Sequence, residues 1–427
     1  MSSESLAIEA WACSDVGRVR KHNEDSYLID KELGLFAVAD GMGGFKRGDV
    51  ASGLACSVLR ETIAAGRHAI HLHLTQRNAA TTAAVEALLR NAVQRACEEI
   101  YQASTALTGD GGRMGTTLDA VLMIASQAFT AHVGDGRIYL IRDNEAHQVT
   151  EDHSLVQQQV REGLITPEQA RRARNKNVIT RALGVFPSVM VDMLHMELGA
   201  GDRLLLCSDG LHNYVGAEEM VAPVSLGENG GTEDLVSIAN IRGGRDNITG
   251  LVLSVRTSDA PSGHRARSAP AEHIDVLRRC DLFSFCTYRE LVQISSVCEA
   301  RRVPANTVLF KEDDIGRECF IIESGQVEIL RGGVSLAVLE PPAYFGEMAF
   351  IDSPRRSATV VTKEDSRFLV ISRNDFLRLV RQDSTLATKL MWRLLHHLAR
   401  MVRSTNSKVM SGAHLSDAPT QEYSGGE

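Results

Sequence analysis

The chain has 427 residues, 44% of them hydrophobic and 23% charged, with a formal net charge of -8. That length suggests two or three domains, each able to bury a core, and the composition excludes a disordered or membrane-embedded chain. The negative charge argues against a general nucleic-acid binder. Eight cysteines without a Cys-x-x-Cys pair, no basic-then-apolar leader and no run of 18 apolar residues lead to the expectation of a reducing cytoplasm, with no membrane and no nucleic acid among the partners.

Residues 6 to 30 alternate as strands around a dense polar insert, Ser14 to Ser26. Next, Leu35-Phe36-Ala37-Val38-Ala39-Asp40-Gly41-Met42-Gly43-Gly44 is a short apolar run ending in a carboxylate and glycines, which predicts a buried strand with a charge at its end. Residues 49 to 65 and 78 to 107 read as helices, with Ala92, Ala96 and Ile100 on one stripe. Met114 to Asp119 and the run from His132 to Ile141 predict consecutive strands with tight turns, and Asp135 is a further carboxylate at a turn. Residues 151 to 176 predict a polar surface flap whose second short helix starts at Pro167. His132 and His153 have no second His or Cys at metal spacing and are expected to be structural. Arg203 to Cys207 is another apolar run, reaching a carboxylate at Asp209, and Asp246 stands just before the run Ile248 to Val255. Three carboxylates at three strand ends predict one site for hard divalent cations, which prefer oxygen ligands and in pairs activate water for attack on a phosphate.

After Val255 the stretch from Thr257 to His273 is rich in Pro, Ser, Gly and Ala without periodicity and reads as a linker. Residues 274 to 300 look helical, and residues 303 to 371 break into short strands, a pattern that predicts a small barrel or jelly roll. Residues 373 to 404 return to helix, with Phe376, Leu379, Leu394 and Leu398 on an apolar stripe, and a polar tail follows.

Residues 6 to 256 resemble the bacterial metal-dependent serine/threonine protein phosphatases of type 2C. The resemblance rests, in order, on Gly17-Arg18-Val19-Arg20 with Asn23-Glu24-Asp25, Asp40-Gly41-Met42-Gly43-Gly44, Gly115-Thr116-Thr117-Leu118, Val133-Gly134-Asp135, Asp152-His153-Ser154, Thr180-Arg181-Ala182-Leu183-Gly184, Ser208-Asp209-Gly210 and Arg245-Asp246-Asn247. It implies an α+β fold, an αββα sandwich. It also implies that Asp40 bridges two Mn²⁺ or Mg²⁺ ions, that the Gly41 carbonyl ligates one, and that Asp209 and Asp246 hold the other. Glu24 and Asp25 would orient coordinated water, Asp135 with Asp209 would form a weaker third site, and Arg20 would grip the substrate phosphate. Arg20, Asp40, Asp209 and Asp246 are thus the implied catalytic set. Two positions depart from the family: Met42 stands where animal members carry a histidine proposed as general acid, and Gly136 where most members have serine.

Residues 274 to 405 resemble the cyclic nucleotide-binding domain, a β-roll, on the cassette that runs from Phe345-Gly346-Glu347 through Pro354-Arg355-Arg356-Ser357 to Val360. The resemblance implies that Arg356 pairs with the cyclic phosphate and Glu347 accepts from the ribose 2′-hydroxyl, with Gly346 and Ser357 beside them; Ser357 does not choose between cAMP and cGMP. The expected organisation is a phosphatase domain at 1–256, a linker at 257–273, a nucleotide-binding domain at 274–405 and a flexible tail at 406–427. The expected function is metal-dependent hydrolysis of phosphoserine and phosphothreonine in proteins, regulated by cyclic nucleotide, with phosphoprotein substrates and a cognate serine/threonine kinase system as partners. The alternatives are a catalytically weak nucleotide sensor or scaffold, and a phosphatase whose roll serves only for docking.

Overall fold

The computed structural model of the chain describes residues 6–43, 47–108, 113–257, 269–351 and 355–413. Gly44 of the glycine run, most of the expected linker, Pro354 of the cassette and the end of the expected tail lie outside the described residues. The chain divides into two compact units, Met1–Glu272 and His273–Glu427.

In the first unit the elements in order are β1 (Leu6–Asp15), β2 (Asp25–Asp30), β3 (Leu35–Met42), α1 (Gly48–Ala65), α2 (Arg67–Thr75), α3 (Ala79–Thr108), β4 (Gly115–Thr116), β5 (Leu118–Ile124), β6 (Gln127–Val133), β7 (Arg137–Arg142), β8 (Glu145–Gln148), α4 (Leu155–Arg161), α5 (Pro167–Arg172), β9 (Asp192–Glu197), β10 (Arg203–Cys207), α6 (Asp209–His212), α7 (Ala217–Leu226), α8 (Thr232–Ile241) and β11 (Ile248–Thr257). Two antiparallel sheets form, one in the order β2-β3-β5-β6-β9 with β4 paired to β3, the other in the order β1-β11-β10-β7-β8.

The strand period of two explains why apolar runs fill both layers. Leu35, Ala37 and Ala39 of β3, with Leu118, Ala120 and Leu122 of β5, pack on Ala51, Ala55 and Leu59 of α1 and on Val85, Leu89, Ala92, Ala96 and Ile100 of α3. Leu205 and Cys207 of β10 and Val252 of β11 pack on Met220, Val224, Leu235 and Ala239 of α7 and α8. The alternate residues Phe36, Val38, Leu204, Leu206, Leu251 and Leu253 are also buried, between the sheets, where β10 meets β3 and β5. The result is an αββα sandwich. The helix α2 follows α1 after one glycine, an element that its many histidines hide from hydropathy.

The boundary falls within α9 (Ala269–Arg279), and the second unit continues with α10 (Tyr288–Ser296), β12 (Glu299–Val303), β13 (Val308–Phe310), β14 (Glu318–Ser324), β15 (Val327–Arg331), β16 (Val334–Leu339), β17 (Tyr344–Phe345), α11 (Met348–Ile351), β18 (Thr359–Thr362), β19 (Ser366–Ser372), α12 (Arg373–Gln382) and α13 (Ser384–Ala413). Two four-stranded antiparallel sheets, β12-β19-β14-β17 and β13-β18-β15-β16, close over Phe320, Ile322, Val327, Phe345, Val360, Phe368 and Val370. This is the β-roll with flanking helices. β12 carries Glu299, Arg301 and Arg302 and is joined to the sheet through its main-chain pairing with β19, so apolar patterning does not reveal it. The helical region from 373 is two helices, parted where Asp383 accepts from the N–H groups of Thr385 and Leu386, and the second runs on to Ala413. Among the described residues no helix is long and apolar enough to cross a membrane.

Candidate active site

Strand register carries the motifs to one end of the sandwich. Asp25 at the start of β2 pairs with Asp40 at the end of β3. Val38 pairs with Asp119 of β5, and Leu118 with Val133 at the end of β6. In the other sheet Asp15 pairs with Ile248, and Cys207 pairs with both Gly250 and Arg137. The loops holding Arg20, Glu24, Asp40, Gly41, Asp135, Asp209 and Asp246 therefore leave the same edge.

Hydrogen bonds fix these loops. The Asp40 N–H donates to Thr117 Oγ1 at 3.0 Å, and the Thr117 N–H donates to the Asp40 carbonyl at 2.9 Å. Gly41 donates its N–H to the Glu24 carbonyl at 3.1 Å. Asn247 ties the polar insert to β11: its Nδ2 donates to the carbonyls of Val16 and His22 at 3.0 and 2.9 Å, and its Oδ1 accepts from the Glu24 N–H at 2.9 Å. Ser208 and Thr249 donate their hydroxyls to Asp25 Oδ2 at 2.9 and 2.6 Å. Arg20 donates to Asp246 Oδ2 at 2.7 Å across 226 positions of sequence.

The acids raise one another's pKa. Burial and then the charges of Asp25, Asp209, Asp135 and Asp246 push Asp40 well above the usual carboxylate range. Asp25 is pushed up to about 7 by burial, with Asp209 and Asp246 adding to it against the two hydroxyl bonds. Asp135 is raised to about 7 by burial and by Asp209, and Asp209 to about 6 by burial and by Asp246, with Lys176 and Arg20 opposing. Among the described residues no group of three or more acidic, histidine or cysteine side chains is so placed that it could hold a metal ion. What the chain offers is a set of carboxylates with open valence: Asp25 Oδ1 and Asp209 Oδ1 are buried without a hydrogen-bond partner among the described residues. Unpaired anionic oxygens that repel one another fit hard divalent cations.

Behind the acids lies a polar network that motif matching alone does not find. His132 Nδ1 lies 2.7 Å from Asp119 Oδ1, and its Nε2 lies 3.0 Å from the Glu151 carbonyl. The His132 and His153 rings are 4.6 Å apart, and Arg181 pairs with Asp192 at 2.8 Å. Both histidines have hydrogen-bond partners within this network. The signal for Asp119 was present in the sequence as a charge between Leu118 and Ala120 in a run that is otherwise apolar. In the 151 to 176 segment Ser154 caps α4, and Thr166 and Gln169 form a capping box on α5, with Pro167 as its first residue. Met42 ends β3 opposite Gly115.

In the second unit Arg356 is buried, its guanidinium carbon 3.9 Å from the centre of the Phe310 ring. Its Nη1 donates to the Glu318 carbonyl at 2.8 Å, while its Nε is buried without a partner among the described residues. Gly346 has φ +79, and a Cβ there would come within 2.6 Å of Arg356 Nη1. Glu347 is buried, with His397 Nε2 of α13 at 3.7 Å, and the His397 ring lies 5.2 Å from that of Tyr344. Ser357 is exposed. Gly346, Glu347 and Arg356 are thus brought to one place beneath α13.

The protein phosphatase 2C family profile matches residues 18–228, and the cyclic nucleotide-binding domain profile matches residues 300–383. The chain is 39% identical over 248 residues to the serine/threonine phosphatase stp of Listeria welshimeri, which covers 56% of this chain and 93% of that protein. It is 35% identical over 260 residues to protein phosphatase PhpP of Streptococcus pneumoniae, covering 59% of this chain and all of the other. The crystal structure of the Mycobacterium tuberculosis serine/threonine phosphatase PstP/Ppp is similar at 35% identity and a TM-score of 0.50, covering 58% of this chain and 99% of the other.

Proposed function

The chain belongs to the protein phosphatase 2C family of serine/threonine phosphatases and carries a C-terminal cyclic nucleotide-binding domain, and on that footing we propose that it hydrolyses phosphoserine and phosphothreonine in proteins at the Asp40, Asp209 and Asp246 end of the sandwich, under control of a cyclic nucleotide. The observation that carries the reading is the meeting of carboxylates from β3, α6 and the approach to β11 with Arg20 beside them. Mn²⁺ or Mg²⁺ ions held there would supply the positive charge that lowers the pKa of water and stabilises a phosphoryl group in attack.

The chain's own residues do the rest. Asp40 with the Gly41 carbonyl, Asp209 and Asp246 would hold the metals, and Asp135 a weaker one. Glu24 and Asp25 would orient water; the bonds from Ser208 and Thr249 keep one oxygen of Asp25 fixed and leave the other free. Arg20 is half-exposed at the mouth, and its planar fork suits two phosphate oxygens. Phosphopeptide hydrolysis with and without Mn²⁺ tests the reading: no metal-dependent release of phosphate would refute it.

The regulatory half rests on Arg356 and Glu347. A guanidinium held in an aromatic setting, its Nε without a partner among the described residues, offers a charged donor to a phosphate, and a buried carboxylate nearby offers an acceptor to a hydroxyl. Isothermal titration with cAMP and cGMP tests it, and absence of heat for both would leave the roll a docking module.

A further inference from the structure

The turn that carries Asp135 is held from three sides. Gly134 donates its N–H to His153 Nδ1 at 3.1 Å. His212 Nε2 lies 2.8 Å from the Asp135 carbonyl. Arg137 clamps Asp152 through two bonds of 2.8 and 2.7 Å. The fourth side is a carboxylate. Asp119 on β5 is 1% exposed, and its Oδ1 is tied to His132, whose other nitrogen meets the Glu151 carbonyl. A carbonyl only accepts, so His132 Nε2 carries hydrogen, and the short Oδ1 to Nδ1 contact holds one more proton whichever group owns it.

With Oδ1 so committed, Oδ2 is buried without a partner among the described residues. A Cβ built on Gly136 would stand 2.0 Å from this oxygen and 3.3 Å from the Cys207 carbonyl. Oδ2 therefore rests against the main chain of Gly136, and no side chain at 136 fits beside it. The carboxylate cannot swing aside without giving up His132. An unpartnered oxygen in the interior is costly, and here its contact is with the residue next to Asp135.

We propose that Asp119 is the positioning residue for Asp135: its carboxylate fills the volume that a side chain at 136 would take, and so sets the seat of the turn. Positions 119 and 136 then act as one interchangeable pair, and Gly136 is required for space. The inference rests on the reading of Asp135 as a cation ligand.

The test uses the full chain and measures Mn²⁺ binding by calorimetry without substrate, beside thermal melting and phosphopeptide kinetics. Gly136→Ser and Asp119→Ala each weaken the weakest Mn²⁺ step by about tenfold or more, while Asp119→Ala combined with Gly136→Ser returns to within about threefold of wild type, because the new side chain occupies the space the carboxylate vacates. A double variant no better than Gly136→Ser overturns the proposal. So does an Asp119→Ala protein that melts lower yet binds Mn²⁺ as wild type does, since that is a structural role only. If Gly136→Ser does not fold, the isosteric Asp119→Asn must keep Mn²⁺ binding within about threefold where Asp119→Ala loses it; loss in both overturns the role of volume. Asp135→Ala separates the premise from the inference. If it leaves every Mn²⁺ step unchanged, Asp135 is no ligand and the premise falls. If it removes a step that Gly136→Ser leaves intact, the premise stands and the positioning role is wrong.

Discussion

Arg356 lies with its guanidinium carbon 3.9 Å from the centre of the Phe310 ring, so the charged group proposed to meet a cyclic phosphate is seated on an aromatic face from β13. The ring fixes the fork while Nε stays free of protein partners among the described residues. Arg356→Ala is expected to abolish cyclic nucleotide binding, and Arg356→Lys to weaken it by about tenfold or more, because a lysine has neither the fork nor the stack. Phe310→Ala should cost about 0.5 to 2 kcal/mol through the lost cation–π contact. Titration calorimetry reads all three, and unchanged affinity in Phe310→Ala would remove the ring from the site.

Asp209→Ala and Asp246→Ala are expected to lose nearly all hydrolysis with the fold retained, and Asp40→Ala to be as severe. Each substitution deletes an anionic oxygen donor from a group that already shares one field. Turnover of either Asp209→Ala or Asp246→Ala within about tenfold of wild type, under ~1.4 kcal/mol of barrier, would exclude these residues from the chemistry.

Arg20→Ala should raise KM for phosphopeptide more than it lowers kcat, since a half-exposed guanidinium binds ground-state phosphate as well as the transition state. Its bond to Asp246 adds a second effect, because the variant leaves that carboxylate without its arginine. Steady-state kinetics at saturating Mn²⁺ measure the first effect, and a fall in kcat at unchanged KM would contradict it.

Burial pulls the His153 imidazole down to about 4, with the neighbouring His132 and Arg181 adding to the effect against Asp192. The unfolded chain binds that proton near pH 6.5. Between pH 6.5 and 4 the unfolded state therefore holds a proton that the folded state refuses, so this contribution to stability is complete above 6.5 and is lost as pH falls toward 4. At pH 5 the loss is about 2 kcal/mol. Urea unfolding at pH 7 and pH 5 should show a shallower acid dependence in His153→Gln than in wild type; parallel dependences would refute the assignment.

Cyclic nucleotide should change kcat/KM by about 5-fold to 100-fold, the range of couplings of ~1 to 3 kcal/mol. Arg356→Ala should abolish the response. A chain ending at Thr257 should be an active phosphatase that no longer responds, which accords with relatives that align over 93% or more of their own length with little more than half of this chain. His397 of α13 beside Glu347 is the contact a bound ribose would disturb, so α13 is the element whose displacement would carry the signal. A nucleotide that binds with activity flat through saturation would assign the roll to assembly or localisation.

Much of this was legible because the decisive residues sit at the ends of apolar runs. Asp40 after Ala39 and Asp209 after Cys207 and Ser208 stand out by contrast with what precedes them, and β5 and β6 are buried along their whole length. What the sequence hid depends on distance in space. Nothing near Asn247 says that it binds Val16, His22 and Glu24, and nothing near Gly136 says that the oxygen of Asp119 rests on it. β12 escaped because its pairing is carried by main-chain groups that any side chain permits, and Phe310 because an aromatic in a short strand reads as core whether or not a charge lies on it.

The full-length pairing of β1 with β11, from Leu6 opposite Thr257 to Asp15 opposite Ile248, has a consequence for how the protein is made. At about 5 to 20 residues per second, a ribosome delivers β11 roughly 12 to 50 s after β1. Because β11 lies inside its sheet, between β1 and β10, neither neighbour can complete its ladder before then. The nascent chain must shelter the apolar side of β1 through that interval, and the segments carrying Arg20 and Asp246, which leave the end of this ladder, meet only when the last strand of the first unit has left the exit tunnel.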